Sequence, residues 1–60
     1  MKLKPEAIRT NLKLTQPVFA KRIGMNVNTY RRKLREQTWK YTEVVKMCEL
    51  GGINLDSFQP

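Results

Sequence analysis

Only Gly24-Met25-Asn26 separates two stretches of helical apolar spacing in the middle of this chain. Before the break, Phe19, Ala20 and Ile23 define one inward stripe; after it, Tyr30 and Leu34 stand at i and i+4. A helix that ends at residue 23 wants a left-handed residue next, and glycine takes that conformation without steric penalty. Asn26 is a good N-cap, because its side-chain oxygen can accept an amide that the next first turn leaves unpaired. The spacing therefore predicts one helix over about 16–23 and another over about 27–35.

The flanks extend the same reading. Pro5 suits the first turn of an initial helix, where Ile8 and Leu12 sit at i and i+4 and which ends near residue 12 or 13. Thr15 is a plausible N-cap for the second helix, with Pro17 inside its first turn. A polar connection over 36–40 leads to a fourth helix carrying Tyr41, Val44, Met47 and Cys48 at helical spacing. Its cap is either Thr38 or Thr42, and Gly51-Gly52 stops it. Asn54 can cap a last turn, Leu55 to Phe58. The fold class expected is all-α, a compact bundle of about five short helices forming one domain over residues 1–60.

Composition removes several function classes. There is no histidine, one serine (Ser57), one aspartate (Asp56) and one cysteine (Cys48), so neither a Ser-His-Asp set nor a His/Cys zinc cage can be assembled. Gly24, Gly51 and Gly52 form no phosphate-cradling loop. The chain is not expected to be an enzyme, and no cofactor or metal is expected. No apolar run approaches the roughly 18 residues of a membrane span and MKLKPEAIR is no signal segment, so the expected location is cytoplasmic. A lone cysteine, within an apolar stripe, agrees with a reducing compartment.

Charge is unevenly spread. Residues 1–40 hold eleven basic and two acidic side chains, a net +9; residues 41–60 hold one and three, a net −2. Such a basic block points to a polyanion meeting one face, the plain alternative being a basic surface kept for solubility. On the third helix, with Tyr30 and Leu34 inward, the opposite arc holds Asn28, Arg31, Arg32 and Arg35 at i, i+3, i+4 and i+7. Like charges at that spacing repel by a few tenths of a kcal/mol per pair, so the stripe makes better sense with phosphates against it. Lys33 lies off to one side. Arginine can pair bidentately with guanine and asparagine with adenine, while arginines holding phosphates would position without reading sequence. Val27 borders the core face and either packs inside or touches a thymine methyl.

The stretch TQPVFAKRIGMNVNTYRRKLRE resembles the helix-turn-helix of the phage repressor and Cro-type (xenobiotic-response-element-like) family. The resemblance rests on Gln16 opening the second helix, Phe19, Ala20, Gly24 in the turn and Tyr30 six residues later, and it covers about residues 6–58. It departs from the family pattern at Lys33, where many members have an apolar residue. It implies a lambda-repressor-like DNA-binding domain whose recognition helix, 27–35, enters the major groove. Gln16 would then contact a backbone phosphate, though it also reads as a simple first-turn residue. Val27, Asn28 and Arg32 would face bases, with Thr29, Arg31, Arg35 and Lys40 flanking them on phosphates. Arg9 stands where the family often pairs an arginine with an acid beyond the third helix, here Glu36.

The function expected is a sequence-specific double-stranded DNA-binding transcriptional regulator, a Cro-like phage or prophage repressor acting by operator occupancy and nucleoid-associated when bound. Its partner would be a palindromic operator, bound by a homodimer formed through Ile53, Leu55 and Phe58. The alternative is a protein-interaction module, an antirepressor or antitoxin-like partner that masks another regulator.

Overall fold

The structure, a computed structural model, describes residues 2–60. Local chemistry places each helix. Pro5 occupies the first position of α1 (Pro5–Asn11), where its missing N–H leaves no bond unmade. The chain leaves α1 through Lys13, which takes the left-handed conformation at φ 59° without being glycine.

Thr15 caps α2 (Gln16–Arg22), its hydroxyl oxygen accepting the Val18 N–H at 3.4 Å. Gly24, at φ +88°, then allows the chain to turn back on the helix end. The Met25 N–H donates to the Ala20 carbonyl at 3.0 Å and the Gly24 N–H to that of Lys21 at 3.1 Å, the double bond pattern of a Schellman stop. Asn26 opens α3 (Val27–Glu36) by accepting the Thr29 N–H at 2.8 Å. The end of α3 carries no glycine; Gln37 adopts φ 57° instead.

The cap of α4 (Tyr41–Gly51) is neither Thr38 nor Thr42. Lys40 occupies the cap position, and the third helical residue, Glu43, reaches back to accept the Lys40 N–H at 2.9 Å. The carboxylate satisfies the amide of the cap residue itself, whereas a threonine at the cap would have accepted an amide of the first turn. Gly52, at φ +67°, closes α4 with the pattern seen at Gly24: Ile53 N–H to Cys48 carbonyl, 3.0 Å, and Gly52 N–H to Glu49 carbonyl, 3.4 Å. The expected fifth helix is a single 3-10 turn, Leu55–Ser57, so the described residues hold four α-helices rather than five. Asn54 precedes it without a side-chain cap bond.

Packing follows from the apolar stripes. Ile8, Phe19, Ala20, Ile23, Tyr30 and Met47 form the buried centre, drawn from all four helices. Phe19 meets Tyr30 edge-on at 5.6 Å between ring centroids, and Trp39 lies tilted against Tyr30 at 5.7 Å. Gly51 lets α4 approach α1 closely: a Cβ there would stand 2.8 Å from the Ile8 methyl. The chain ends meet in a one-residue parallel bridge between Leu3 and Phe58. There the Leu3 N–H donates to the Ser57 carbonyl at 2.6 Å and the Gln59 N–H to the Leu3 carbonyl at 2.8 Å. Among the described residues no helix is long and apolar enough to cross a membrane.

Candidate functional site

The residues singled out on α3 divide by burial as a helix of 3.6 residues per turn requires. Asn28, Arg31, Arg32 and Arg35 are all exposed and share one arc. Tyr30 is fully buried on the opposite arc, and Val27 and Thr29 lie half-buried at its two rims. Val27 is thus neither wholly core nor wholly outward.

On α3 the facing is as expected, and one residue, Lys33, is not. It does not lie off to one side but is only 7% exposed, while Leu34, expected in the core, is half-buried. Burial of an ammonium needs a counter-charge. Glu43 supplies it, with Lys33 Nζ donating to the Glu43 carboxylate at 3.0 Å and to the Thr38 carbonyl at 3.4 Å. Burial would raise the Glu43 carboxyl, but the Lys40 backbone N–H and the Lys33 ammonium outweigh it and hold the group below its ordinary range. This ion pair locks α3 to the first turn of α4 and so sets which arc α3 turns outward. Glu43 was missed because its partner lies ten residues away; only its place as the third residue of a helix marks it in the sequence.

A second polar cluster joins α1, α2 and α3. The Glu6 carboxylate accepts Arg9 Nε and Nη2, both at 2.9 Å, the Tyr30 hydroxyl at 2.6 Å and Gln16 Nε2 at 3.3 Å. The bond from Arg9 is the main cause holding Glu6 below the usual carboxylate range; burial opposes it, and the Tyr30 hydroxyl adds to the lowering. Burial first, and the bond to Glu6 second, push the Tyr30 phenol up, so it stays a donor.

The expected pairing of Arg9 with Glu36 does not form. Arg9 is instead held by Glu6, three residues earlier on the same helix face, and by the Leu14 carbonyl at 2.7 Å. Glu36 lies beside Arg32 instead, at 3.9 Å with both side chains about half exposed. Such a loose surface pair adds little stability.

Gln16 is half-buried in the first turn of α2, where its Oε1 accepts Arg31 Nε at 3.0 Å. That bond brings the start of α2 against the exposed arc of α3. Lys40 is exposed at the cap of α4, and among the described residues no hydrogen bond or ion pair ties it to the α3 stripe. No group of three or more His, Cys, Asp or Glu side chains able to hold a metal ion occurs among the described residues.

Of the C-terminal apolar residues, Ile53 and Phe58 pack against the chain's own core, and Leu55 is 43% exposed. Leu55 edges an open groove of about 450 Å³ between α4 and the final turn, lined also by Val45, Cys48 and Ile53. Comparison with known proteins returned no family model, no curated protein and no solved structure that matches this chain.

Proposed function

We propose that this protein is a sequence-specific double-stranded DNA-binding regulator with a helix-turn-helix of the phage repressor and Cro type, acting by occupying an operator. In this reading α2 and α3 are the motif, and α3 enters the major groove. The observation that carries it is the division of α3: Tyr30 and Lys33 are buried, whereas Asn28, Arg31, Arg32 and Arg35 stand exposed together on one arc. The +9 charge of residues 1–40 supplies the matching electrostatic attraction.

Asn28 and Arg32 read base edges, with Val27 reaching a thymine methyl from the rim. Thr29, Arg31, Arg35 and Lys40 hold phosphates, while Gln16, its amide shared between Glu6 and Arg31, stands behind Arg31 instead of reaching a phosphate itself. One module reaches only a few base pairs, so two copies bind a palindromic site with half-sites about one helical turn apart. Because Ile53 and Phe58 are engaged inside the protomer, Leu55 and the groove beside it are the surface through which the homodimer forms.

The test is competition binding to an operator selected from random duplexes, at about 150 mM salt. Specific binding survives excess random duplex, whereas attraction by charge alone collapses. Asn28→Ala and Arg32→Ala are each expected to relax preference at defined base pairs by about 1–3 kcal/mol. Arg31→Ala should weaken all duplexes alike and reduce the salt slope by about one unit. Unaltered sequence preference in the first two variants would show that α3 does not read bases.

A further inference from the structure

One carboxylate outside the proposed DNA-facing helices is bonded into the chain of contacts that ends on an exposed arginine of α3. Glu6 can only accept hydrogen bonds, so the Gln16 amide must turn its nitrogen toward Glu6 and its oxygen the other way. Only a donor can then stand at that oxygen, and Arg31 Nε does, at 3.0 Å. The order carboxylate, amide, guanidinium is therefore fixed by donor and acceptor chemistry, and reversing the amide would break both bonds.

The charges sort in the same direction. Arg9 neutralises Glu6 through two bonds of 2.9 Å, and the Tyr30 hydroxyl anchors the carboxylate to the core at 2.6 Å. Among the described residues no acid stands within ion-pair distance of Arg31. Arg31 is thus held by a neutral amide through Nε alone. Its full charge and its four terminal N–H groups remain for an outside acceptor.

We propose that Glu6 is a positioning residue for DNA binding: acting through the Gln16 amide, it holds the Arg31 guanidinium so that its terminal fork meets a backbone phosphate end-on. The inference rests on the duplex-binding reading above. A guanidinium fixed before contact loses less freedom on binding than a mobile one, so the relay raises affinity without any contact between Glu6 and DNA.

The test is a double-mutant cycle of Glu6→Gln and Arg31→Ala, read by duplex affinity at a temperature where circular dichroism shows all four proteins folded. The exchange rate of the Arg31 Nε–H is followed by NMR in the free proteins that retain Arg31. Glu6→Gln lets the Gln16 amide turn either way, and is expected to weaken every duplex about three- to tenfold, the worth of one hydrogen bond. In the Arg31→Ala background the same change should have no effect, and in the free protein it should speed Arg31 Nε–H exchange. An equal loss in both backgrounds, or an Nε–H unaffected by Glu6→Gln, would overturn the relay while leaving DNA binding intact. Absence of duplex binding by the unaltered protein would overturn the DNA reading and with it the role of Glu6 there; the Nε–H signal would separately report whether the relay exists.

Discussion

Replacing Glu43 by glutamine removes one charge from the contact that orients α3. At 3.0 Å and an effective dielectric near 20, the Lys33–Glu43 attraction is about 5.5 kcal/mol before desolvation is subtracted. The side chains are only 9% and 16% exposed, so much of that attraction offsets the loss of water, and the net worth of the pair is small. The asymmetry matters more. Glu43→Gln leaves the ammonium buried with a neutral amide and the Thr38 carbonyl, and stranding a buried charge costs about 3–5 kcal/mol. The glutamine oxygen and partial escape of the lysine toward water reduce this to about 2–3 kcal/mol. A 60-residue domain has about 3–9 kcal/mol in all. With a urea slope near 1 kcal/mol/M, the unfolding midpoint should fall by about 2–3 M. Lys33→Met removes the stranded charge and should restore most of the loss when added to Glu43→Gln, giving a coupling of about 2 kcal/mol in the cycle. A midpoint shift below about 0.5 M for Glu43→Gln, or no rescue by Lys33→Met, would refute the view that this pair is a buried, charge-matched contact.

Three further outcomes are expected. Glu6 and Glu43 both ionise more readily folded than unfolded, so the unfolded chain binds more protons as pH falls and stability declines with it. Urea midpoints should be level from pH 8 to about 5.5 and drop as pH passes through and below the ordinary glutamate range near 4.5, with Glu43→Gln showing a smaller drop. Gln37 holds φ 57°, so Gln37→Gly relieves a left-handed side chain and should raise the melting temperature by roughly 4–8 °C, for about 1 kcal/mol. Glu36→Gln removes the acid 3.9 Å from Arg32 and should tighten duplex binding about two- to fivefold, an effect fading as salt rises; weaker binding would mean Glu36 orients Arg32 instead.

Much of the helical framework was legible because its signals are local. Thr15, Asn26, Gly24 and Gly52 act on backbone groups within a few residues of themselves, so their chemistry can be read without knowing what packs nearby. The exposed arc of Asn28, Arg31, Arg32 and Arg35 follows from helical periodicity once Tyr30 is inward. Where a local signal was weak, the reading slipped: α3 stops at a glutamine forced left-handed, and α4 starts at a lysine served by Glu43.

What the amino-acid order determines alone, then, is where the four α-helices lie, the tight joint between α2 and α3, and a basic polar arc facing away from Tyr30; the fifth helix it also predicts is only a 3-10 turn. What tertiary structure decided is the set of partners. Lys33 is buried because Glu43 arrives from another helix, and Glu6 gathers Arg9, Gln16 and Tyr30 because three helices converge on it. Ile53 and Phe58 pack against the chain's own core, Phe58 beside its bridge to Leu3, while Leu55 stays outside. Helix propensity and periodicity act over one or two turns, whereas a buried charge finds its counter-ion only after the helices have packed.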